Sequence, residues 1–281
     1  MGFVPGPLQA PLLYARTAQR LVRRRGAGLS ERLGPLDERL VFVVGCPRSG
    51  TTFLARAIGS QPGFLDLGEV APLKAAIPEL ALRPAEEAAP RIRRILDRTR
   101  RLGLVGGVRP VEQTPEAVFV IEAIARAYPA ARVVHIVRDG RDVVCSLLER
   151  GWLSAGRGGE DDAFLPYGAE ARFWVERGRE DEFGRASDAR RAAWAWRCYV
   201  GAARRAPAAH QVRYERLHDD PADVAADLAV FLGTPVEPLA AALAAAHGSS
   251  VGRYRSELTG EQLTEVEAEA GPLLRELGYL P

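Results

Sequence analysis

Three short apolar runs stand out along the chain, and a helical pattern follows each of them. Residues 40–45, 132–137 and 210–214 have the length and the β-branched content of buried strands. After the first run, helical spacing of apolar residues begins at Thr51. Strands that alternate with helices predict an α/β fold with three layers, in which helices flank a central parallel β-sheet.

The segments between these strands divide into helices and one irregular stretch. Residues 78–103 and 185–206 have compositions typical of helices, and Asp220 followed by Pro221 marks the start of another. Residues 151–184 mix glycine and charged residues without a regular period, which predicts an insertion on the substrate side of the active face. The aromatic residues of this insertion are expected to be exposed: Trp152, Phe164, Tyr167, Phe173 and Trp174.

Residues 1–38 are predicted to be an N-terminal helical extension of a single domain that spans residues 1–281. Within this extension, residues 8–24 have the spacing of a surface helix. Four leucines are expected to dock this helix on the domain: Leu8, Leu12, Leu13 and Leu21.

Composition narrows the classes of protein that the sequence can encode. A net charge of +2 does not indicate a nucleic-acid partner. The three cysteines, Cys46, Cys145 and Cys198, are widely spaced and lack a CxxC pair, which favours a reducing cytoplasm over a secreted disulfide framework. The arginine-rich N-terminal region has no apolar run long enough for a secretory leader or a membrane span, so we expect no stable membrane anchor.

The turn after the first predicted strand has the features of an anion site. A buried strand, a glycine-containing turn and a helix N-terminus direct backbone N–H groups and the positive end of the helix dipole at one point. The spacing from Gly45 to Gly50 matches a nucleotide-triphosphate loop, but Thr51 occupies the position of the usual lysine. Lys74 is the chain's single lysine, whereas Arg48 lies inside the loop and can hold a shorter anion.

The residues from Pro47 to Thr52 resemble the 5′-phosphosulfate loop of sulfotransferases that use 3′-phosphoadenosine-5′-phosphosulfate (PAPS). The likeness is to the branch that includes the tyrosylprotein and many bacterial small-molecule enzymes, and it implies a P-loop-like fold. In this family the loop binds the donor, which here implies contacts from Arg48, Ser49, Gly50, Thr51 and Thr52.

A second segment resembles the same family's 3′-phosphate motif. Arg138 directly follows a predicted strand, and Ser146 lies about two helical turns later, so both side chains can reach one ligand. The resemblance implies that Arg138 and Ser146 hold the phosphate on the ribose. For each residue alone the ordinary alternatives are a strand-end ion pair with Asp139 or Asp142 and a hydroxyl bonded to its own helix.

Two later segments extend the resemblance. Tyr214 occupies the place of a family tyrosine whose hydroxyl lies near the phosphoadenosine. The segment from Ser249 to Arg255 resembles the loop that closes over the nucleotide, which implies phosphate contacts from Ser250 and Arg253. A solvated basic loop is the alternative for this segment.

Sulfuryl transfer to a hydroxyl also needs a base and cationic groups near the transferring sulfonate. Glu69 occupies the place of the catalytic glutamate of the tyrosylprotein branch, Arg48 is the expected cation, and a solvated surface carboxylate is the alternative for Glu69. His135 is an alternative base, although its position in an apolar strand favours a structural role. Gln113 replaces the lysine of a family Glu-Lys-Thr-Pro segment, which leaves Thr114 as a substrate contact or a helix N-cap.

These observations together predict a cytoplasmic sulfotransferase that moves sulfuryl from PAPS to a hydroxyl, preferably on a small molecule. A glycan or a peptide tyrosine is the alternative acceptor. A small-molecule kinase is one alternative function, and a non-catalytic nucleotide-binding or scaffold protein is another. The histidines His210, His218 and His247 lack metal-ligand spacing, so no metal is expected. The sequence does not indicate an oligomeric state.

Overall fold

The computed structural model describes residues 9–23, 32–246 and 248–281 of the chain. A central sheet of five parallel strands has the order β2-β3-β1-β4-β7. The strands are β1 (Val41–Val44), β2 (Phe64–Gly68), β3 (Arg109–Glu112), β4 (Arg132–Val137), β5 (Gly159–Glu160), β6 (Pro166–Tyr167) and β7 (His210–Arg213), of which β5 and β6 form a small antiparallel pair.

Helices cover both faces of this sheet. Short 3₁₀ helices span Pro115–Val120 and Gly248–Ser250. The α-helices are α1 (Gln9–Arg23), α2 (Thr51–Gly59), α3 (Ala71–Leu80), α4 (Ala85–Leu102), α5 (Ile121–Ala127), α6 (Gly140–Arg150), α7 (Glu180–Arg185), α8 (Asp188–Ala203), α9 (Arg216–Asp219), α10 (Pro221–Leu232), α11 (Val236–Leu243), α12 (Tyr254–Glu257) and α13 (Gly260–Glu276).

The central strand β1 shows how the sequence builds the three layers. All four of its side chains are fully buried, and successive side chains point to opposite faces of the sheet. Phe42 and Val44 pack into a core with residues of α3, α4, α6 and α8, whereas Val41 and Val43 pack into a second core with residues of α2, α10 and α11. The predicted three-layer α/β fold with a central parallel sheet is therefore confirmed.

The sequence predicted three of the five central strands. β1, β4 and β7 begin and end close to the predicted positions, and α10 starts at Pro221 with Asp220 before it. β2 and β3 were not predicted. Their apolar runs are broken by Asp66 in β2 and by Pro110 in β3, and neither strand therefore shows the continuous hydrophobic run of a buried parallel strand.

The N-terminal helix docks largely as expected. α1 packs against α3 and α4, and Leu13 and Leu21 are buried. The expectation for Leu12 was wrong, because its side chain is 42% exposed. Leu8 lies outside the described residues. In the described part of the chain, no helix is both long enough and apolar enough to span a membrane.

The aromatic residues of the 151–184 insertion are not exposed, which corrects the sequence-based expectation. Trp174 is buried and packs edge-on against Phe183 and Tyr199, with ring centroids 5.5 and 5.8 Å apart. Phe173 packs edge-on against Phe119 at 5.3 Å. The other three, Trp152, Phe164 and Tyr167, are half-buried. The insertion thus has its own apolar contacts with α8, which no periodic pattern in its sequence signalled.

Candidate active site

Parallel strands end at the same edge of the sheet, and this edge collects most of the predicted site residues. The phosphate loop follows β1, Arg138 follows β4 and Tyr214 follows β7. Glu69 and Gln113 follow β2 and β3 directly. In open parallel sheets, ligands bind outside the carboxyl ends of the strands. The topology therefore brings together segments that are far apart in the chain.

The turn between β1 and α2 has a constrained backbone. Arg48 has a φ of 73° and Gly50 a φ of 94°, a left-handed region that residues with a side chain rarely adopt. A Cβ atom at Gly50 would lie 2.7 Å from the Tyr214 ring, so this position also needs glycine for space. The first N–H groups of α2, which begins at Thr51, have no acceptors within their own helix. This turn has the geometry of an anion cradle.

Arg138 and Ser146 both contact the phosphate loop. The Nε of Arg48 donates a hydrogen bond of 2.9 Å to the Oγ of Ser146. The Nη1 of Arg138 donates one of 3.0 Å to the carbonyl of Arg48, and its Nη2 donates to the carbonyl of Ser250. The carbonyl of Arg138 in turn accepts a 3.0 Å bond from the indole of Trp196. The structure therefore joins two motifs that the sequence identified separately.

A cavity of about 350 Å³ opens between these segments. All of the predicted donor-binding residues except Ser49 line it, namely Arg48, Gly50, Thr51, Thr52, Arg138, Ser146, Tyr214, Ser250 and Arg253. Ser49 is fully buried instead, and its Oγ has no hydrogen-bond partner among the described residues. We call this space the loop cavity.

The loop cavity is rich in guanidinium groups. Among the described residues, three arginines line it together with a single carboxylate, Glu149. Burial and the neighbouring Arg150 lower the pKa of Arg48. The Arg138 guanidinium lies 4.7 Å from the centre of the Tyr214 ring, and its Nε is buried without a partner in the described part of the chain. Arg253 is paired with Glu257 at 2.7 Å and with Glu149 at 3.3 Å, so its charge is partly compensated.

A second cavity of about 380 Å³ meets the loop cavity at Thr52, which lines both. The Thr52 hydroxyl donates a 3.2 Å hydrogen bond to the Oε1 of Gln113. Other parts of the wall come from α1, from the end of β2, from α3 and from the 151–184 insertion. Those residues include Arg20, Asp66, Glu69, Lys74, Asp162 and Ala163. We call this space the Glu69 cavity.

Glu69 lies in this cavity beside the only lysine of the chain. The Nζ of Lys74 is 2.8 Å from the Oε2 of Glu69, whose side chain is 38% exposed. Burial raises the pKa of Glu69 above its ordinary value, although Lys74 opposes this effect. A carboxylate with a raised pKa that faces a cavity has the properties of a general base.

Glu112 and Thr114 are buried behind the cavity, a feature that the sequence did not reveal. The Oε1 of Glu112 accepts hydrogen bonds from the N–H and the hydroxyl of Thr114 and from the N–H of Val70. Burial raises the pKa of Glu112 to about 7. Thr114 occupies the predicted N-cap position of the helix that begins at Pro115, but its side chain makes no capping hydrogen bond. Its side chain is fully buried and bonds to Glu112 instead.

His135 lies in neither cavity. Its side chain is 2% exposed, and burial lowers its pKa to about 4, so it is neutral near pH 7. Its Nε2 has no hydrogen-bond partner among the described residues. In the described ranges no group of three or more histidine, cysteine, aspartate or glutamate side chains is arranged to hold a metal ion. His247 lies outside these ranges.

Comparison with known proteins gives one family match. A family model described as "Sulfotransferase family" matches residues 41–238. This range includes the phosphate loop, Glu69, Arg138, Ser146 and Tyr214. A search of curated proteins gives no match.

Several solved structures have a similar fold. A sulfotransferase domain from the curacin biosynthetic pathway aligns with a TM-score of 0.54 and 15% identity, covering 85% of this chain and 98% of that domain. Sulfotransferase STF9 from Mycobacterium avium aligns with a TM-score of 0.53 and 16% identity, covering 97% of this chain and 86% of that protein. At these identities the likeness concerns the fold.

Proposed function

The chain belongs to the sulfotransferase family, and on that premise we propose that it transfers a sulfuryl group from PAPS to the hydroxyl of a small molecule. One observation carries the proposal. Arg48 contacts Ser146, and Arg138 contacts the backbone of Arg48, around a cavity lined by guanidinium groups. Two phosphate-binding motifs that converge in this way suit a nucleotide with phosphates at two separate positions.

The loop cavity has groups suited to each end of this donor. Arg138 and Ser146 would hold the 3′-phosphate, and the buried Nε of Arg138 is a donor still without an acceptor among the described residues. Arg48, Gly50, Thr51 and Thr52 would surround the 5′-phosphosulfate. Ser49 would contribute through the backbone of the turn, where its N–H donates a 3.1 Å hydrogen bond to the carbonyl of Cys46. Tyr214 would lie near the adenosine, and Ser250 and Arg253 would close the cavity beside a phosphate.

The Glu69 cavity is suited to the acceptor. It opens next to the loop cavity at Thr52, so a hydroxyl bound there would lie close to the transferring sulfonate. Glu69 would take the hydroxyl proton as the new O–S bond forms and the bond from sulfur to the 5′-phosphate oxygen breaks. Arg48 and the loop N–H groups would stabilise the charge on the departing adenosine 3′,5′-bisphosphate. The volume of about 380 Å³ and the polar wall favour a small hydroxylated acceptor.

The described residues give less support to a kinase. Thr51 occupies the position at which nucleotide-triphosphate loops carry lysine, and Lys74 lines the other cavity. The single carboxylate in the loop cavity, Glu149, already pairs with Arg253. A magnesium-bound triphosphate would need both a phosphate-binding lysine and an available acid.

We extend the proposal to a cytoplasmic location and a single domain over residues 1–281. The support for the location is the spacing of Cys46, Cys145 and Cys198, which are far apart in the sequence and include no CxxC pair. The support for one domain is that the two hydrophobic cores lie on opposite faces of the same sheet.

Thermal unfolding with adenosine 3′,5′-bisphosphate, with ATP and magnesium, and with buffer tests the donor. We expect the bisphosphate alone to raise Tm, and an Arg138→Ala chain to lose the increase. Arg94→Ala, which removes an exposed arginine of α4, is the matched control and should keep it. Stabilisation by ATP with magnesium alone would favour a kinase, and stabilisation by neither ligand would favour a scaffold protein.

Incubation of the chain with sulfur-labelled PAPS and a metabolite extract tests the transfer. We expect label to appear in a small hydroxylated product. Label in glycans or in tyrosine peptides, when these are supplied instead, would reassign the acceptor class.

A further inference from the structure

Lys74 lies at the centre of a partly buried cluster of charges beside the Glu69 cavity. Its side chain is 13% exposed, and it reaches three carboxylates on three different segments. The Nζ is 2.8 Å from Glu69, 2.8 Å from Asp161 and 3.8 Å from Glu116. Although burial favours a neutral amine, these carboxylates raise the pKa of Lys74, so the side chain stays charged. Three carboxylates are thus held around one ammonium, which restricts the positions of their side chains.

Lys74 contacts one oxygen of Glu69. The ammonium bonds to Oε2, and no described residue donates a hydrogen bond to Oε1. The main chain of Glu69 is also held, because the Arg20 guanidinium donates a hydrogen bond of 2.5 Å to the Glu69 carbonyl. With Oε2 held, Oε1 is the oxygen available to a hydroxyl in the cavity.

The same lysine holds a loop of the insertion. Asp161 organises residues 161–165, because its Oδ1 accepts bonds of 2.8 Å from the N–H of Ala163 and 3.0 Å from that of Leu165. Its Oδ2 faces Lys74. Ala163 is buried against Leu13 of α1 and Ala75 of α3. The 161–165 loop therefore packs on α1 and α3, and Asp161 forms an ion pair with Lys74.

We propose that Lys74 is a positioning residue that fixes one oxygen of Glu69 and, through Asp161, holds the 161–165 loop against the Glu69 cavity. This inference rests on the proposed function, because it concerns the orientation of the base. Under this proposal, both the position of the 161–165 loop and the orientation of the Glu69 carboxylate depend on the Lys74 side chain.

The single lysine permits a direct test that needs no acceptor. Protein labelled with ¹⁵N-lysine has one side-chain ammonium signal, which belongs to Lys74. We expect this signal to exchange slowly and to shift with pH as Glu69 titrates. The shift should become smaller in Glu69→Gln, in which Asp161 and Glu116 remain beside Lys74. It should be unchanged in Glu160→Gln, which removes an exposed carboxylate of the same insertion. A fast-exchanging signal that Glu69→Gln leaves unchanged would overturn the proposal.

The pH dependence of transfer from labelled PAPS to a metabolite extract supplies the second test. We expect Lys74→Met to lower product formation by about tenfold or more, since misplacing a reacting group costs rates of this order. In the pH–rate profile of Lys74→Met, the fall in rate on the acid side should move to higher pH, because Lys74 lowers the pKa of Glu69. Lys74→Arg should return the acid side of the pH–rate profile to its position in the unchanged chain. The charged or titratable groups that surround Glu69 or line its cavity are Arg20, Arg56, Asp66, Lys74, Glu112, Glu116, Asp161 and Asp162.

A third variant covers the risk that Lys74→Met does not fold. Lys74→Met with Asp161→Asn removes one charge of each sign, and binding of adenosine 3′,5′-bisphosphate reports whether it is folded. If the folded double variant has the same rate and the same pH–rate profile as the unchanged chain, the positioning role of Lys74 is wrong and the proposed function is unaffected. An unchanged chain that binds the bisphosphate but forms no labelled product would instead count against the proposed function.

Discussion

Arg48 and Ser146, which are 98 residues apart in the chain, are joined by a hydrogen bond of 2.9 Å. Arg48 follows β1 and Ser146 lies on α6, which follows β4. β1 and β4 are neighbouring parallel strands, so the segments that follow them emerge side by side. This contact links the two halves of the proposed donor site.

Replacing either residue should weaken donor binding. We expect Arg48→Ala to lower the affinity for adenosine 3′,5′-bisphosphate by about 10- to 100-fold, as is typical when a charged hydrogen-bond donor of roughly 1.5–3 kcal/mol is lost. Ser146→Ala should have a smaller effect in the same direction. Isothermal titration calorimetry measures both, with Arg94→Ala as control. Equal affinity in all four proteins would contradict the assignment.

Two glycines with positive φ provide a matched pair. Gly50 and Gly63 have φ of 94° and 78°, but a Cβ at Gly50 would meet Tyr214 at 2.7 Å, whereas one at Gly63 would meet nothing within 4 Å. Both alanine variants should lose about 1 kcal/mol or more of stability from backbone strain. We expect only Gly50→Ala to lose bisphosphate binding as well. Chemical unfolding and calorimetry separate the two effects, and loss of binding in Gly63→Ala would argue against the close approach as the cause.

Glu112 should make stability depend on pH. Its pKa is about 7 in the folded chain and about 4.5 when unfolded, so between these values the folded state keeps a proton that the unfolded state releases. The free energy of unfolding therefore receives a contribution that is full below pH 4.5 and falls by roughly 3 kcal/mol by pH 7.

Urea unfolding of the unchanged chain and of Glu112→Gln from pH 4.5 to 7.5 measures this contribution. The unchanged chain should lose stability relative to the variant as pH rises. Glu122→Gln, on the exposed side of α5, should follow the unchanged chain. Parallel curves for the unchanged chain and Glu112→Gln would show that the buried carboxyl does not hold its proton.

Glu69→Gln tests the base. We expect turnover to fall by about 100- to 10,000-fold, the usual contribution of general base catalysis, with bisphosphate affinity unchanged. Because burial raises the pKa of Glu69, the acid limb of the unchanged chain should lie above pH 4.5. Glu86→Gln, on an exposed turn of α4, is the control. A near-normal rate in Glu69→Gln with intact bisphosphate binding would remove Glu69 from this role.

Much of the fold could be predicted from the sequence, because local patterns of apolar and turn residues identified several strands and the turn between β1 and α2. The apolar runs of β1, β4 and β7 were long enough to identify, and the glycines and threonines of the phosphate loop marked the turn between β1 and α2. β2 and β3 were missed because polar residues and a proline interrupt short strands. The buried aromatic residues of the insertion were missed because their partners lie on α8 and on the 3₁₀ helix, so their own spacing has no period.

The sequence by itself determined the strand-loop-helix units and which residues could bind phosphate, because hydrogen bonding and hydrophobic periodicity act over a few neighbouring residues. Only the tertiary structure decided that Arg48 meets Ser146, that Lys74 meets both Glu69 and Asp161, and that Thr52 joins two cavities. These contacts depend on strand order and on the docking of α1 and the insertion. Both depend on burial of apolar surface between segments far apart in the chain, which no local pattern encodes.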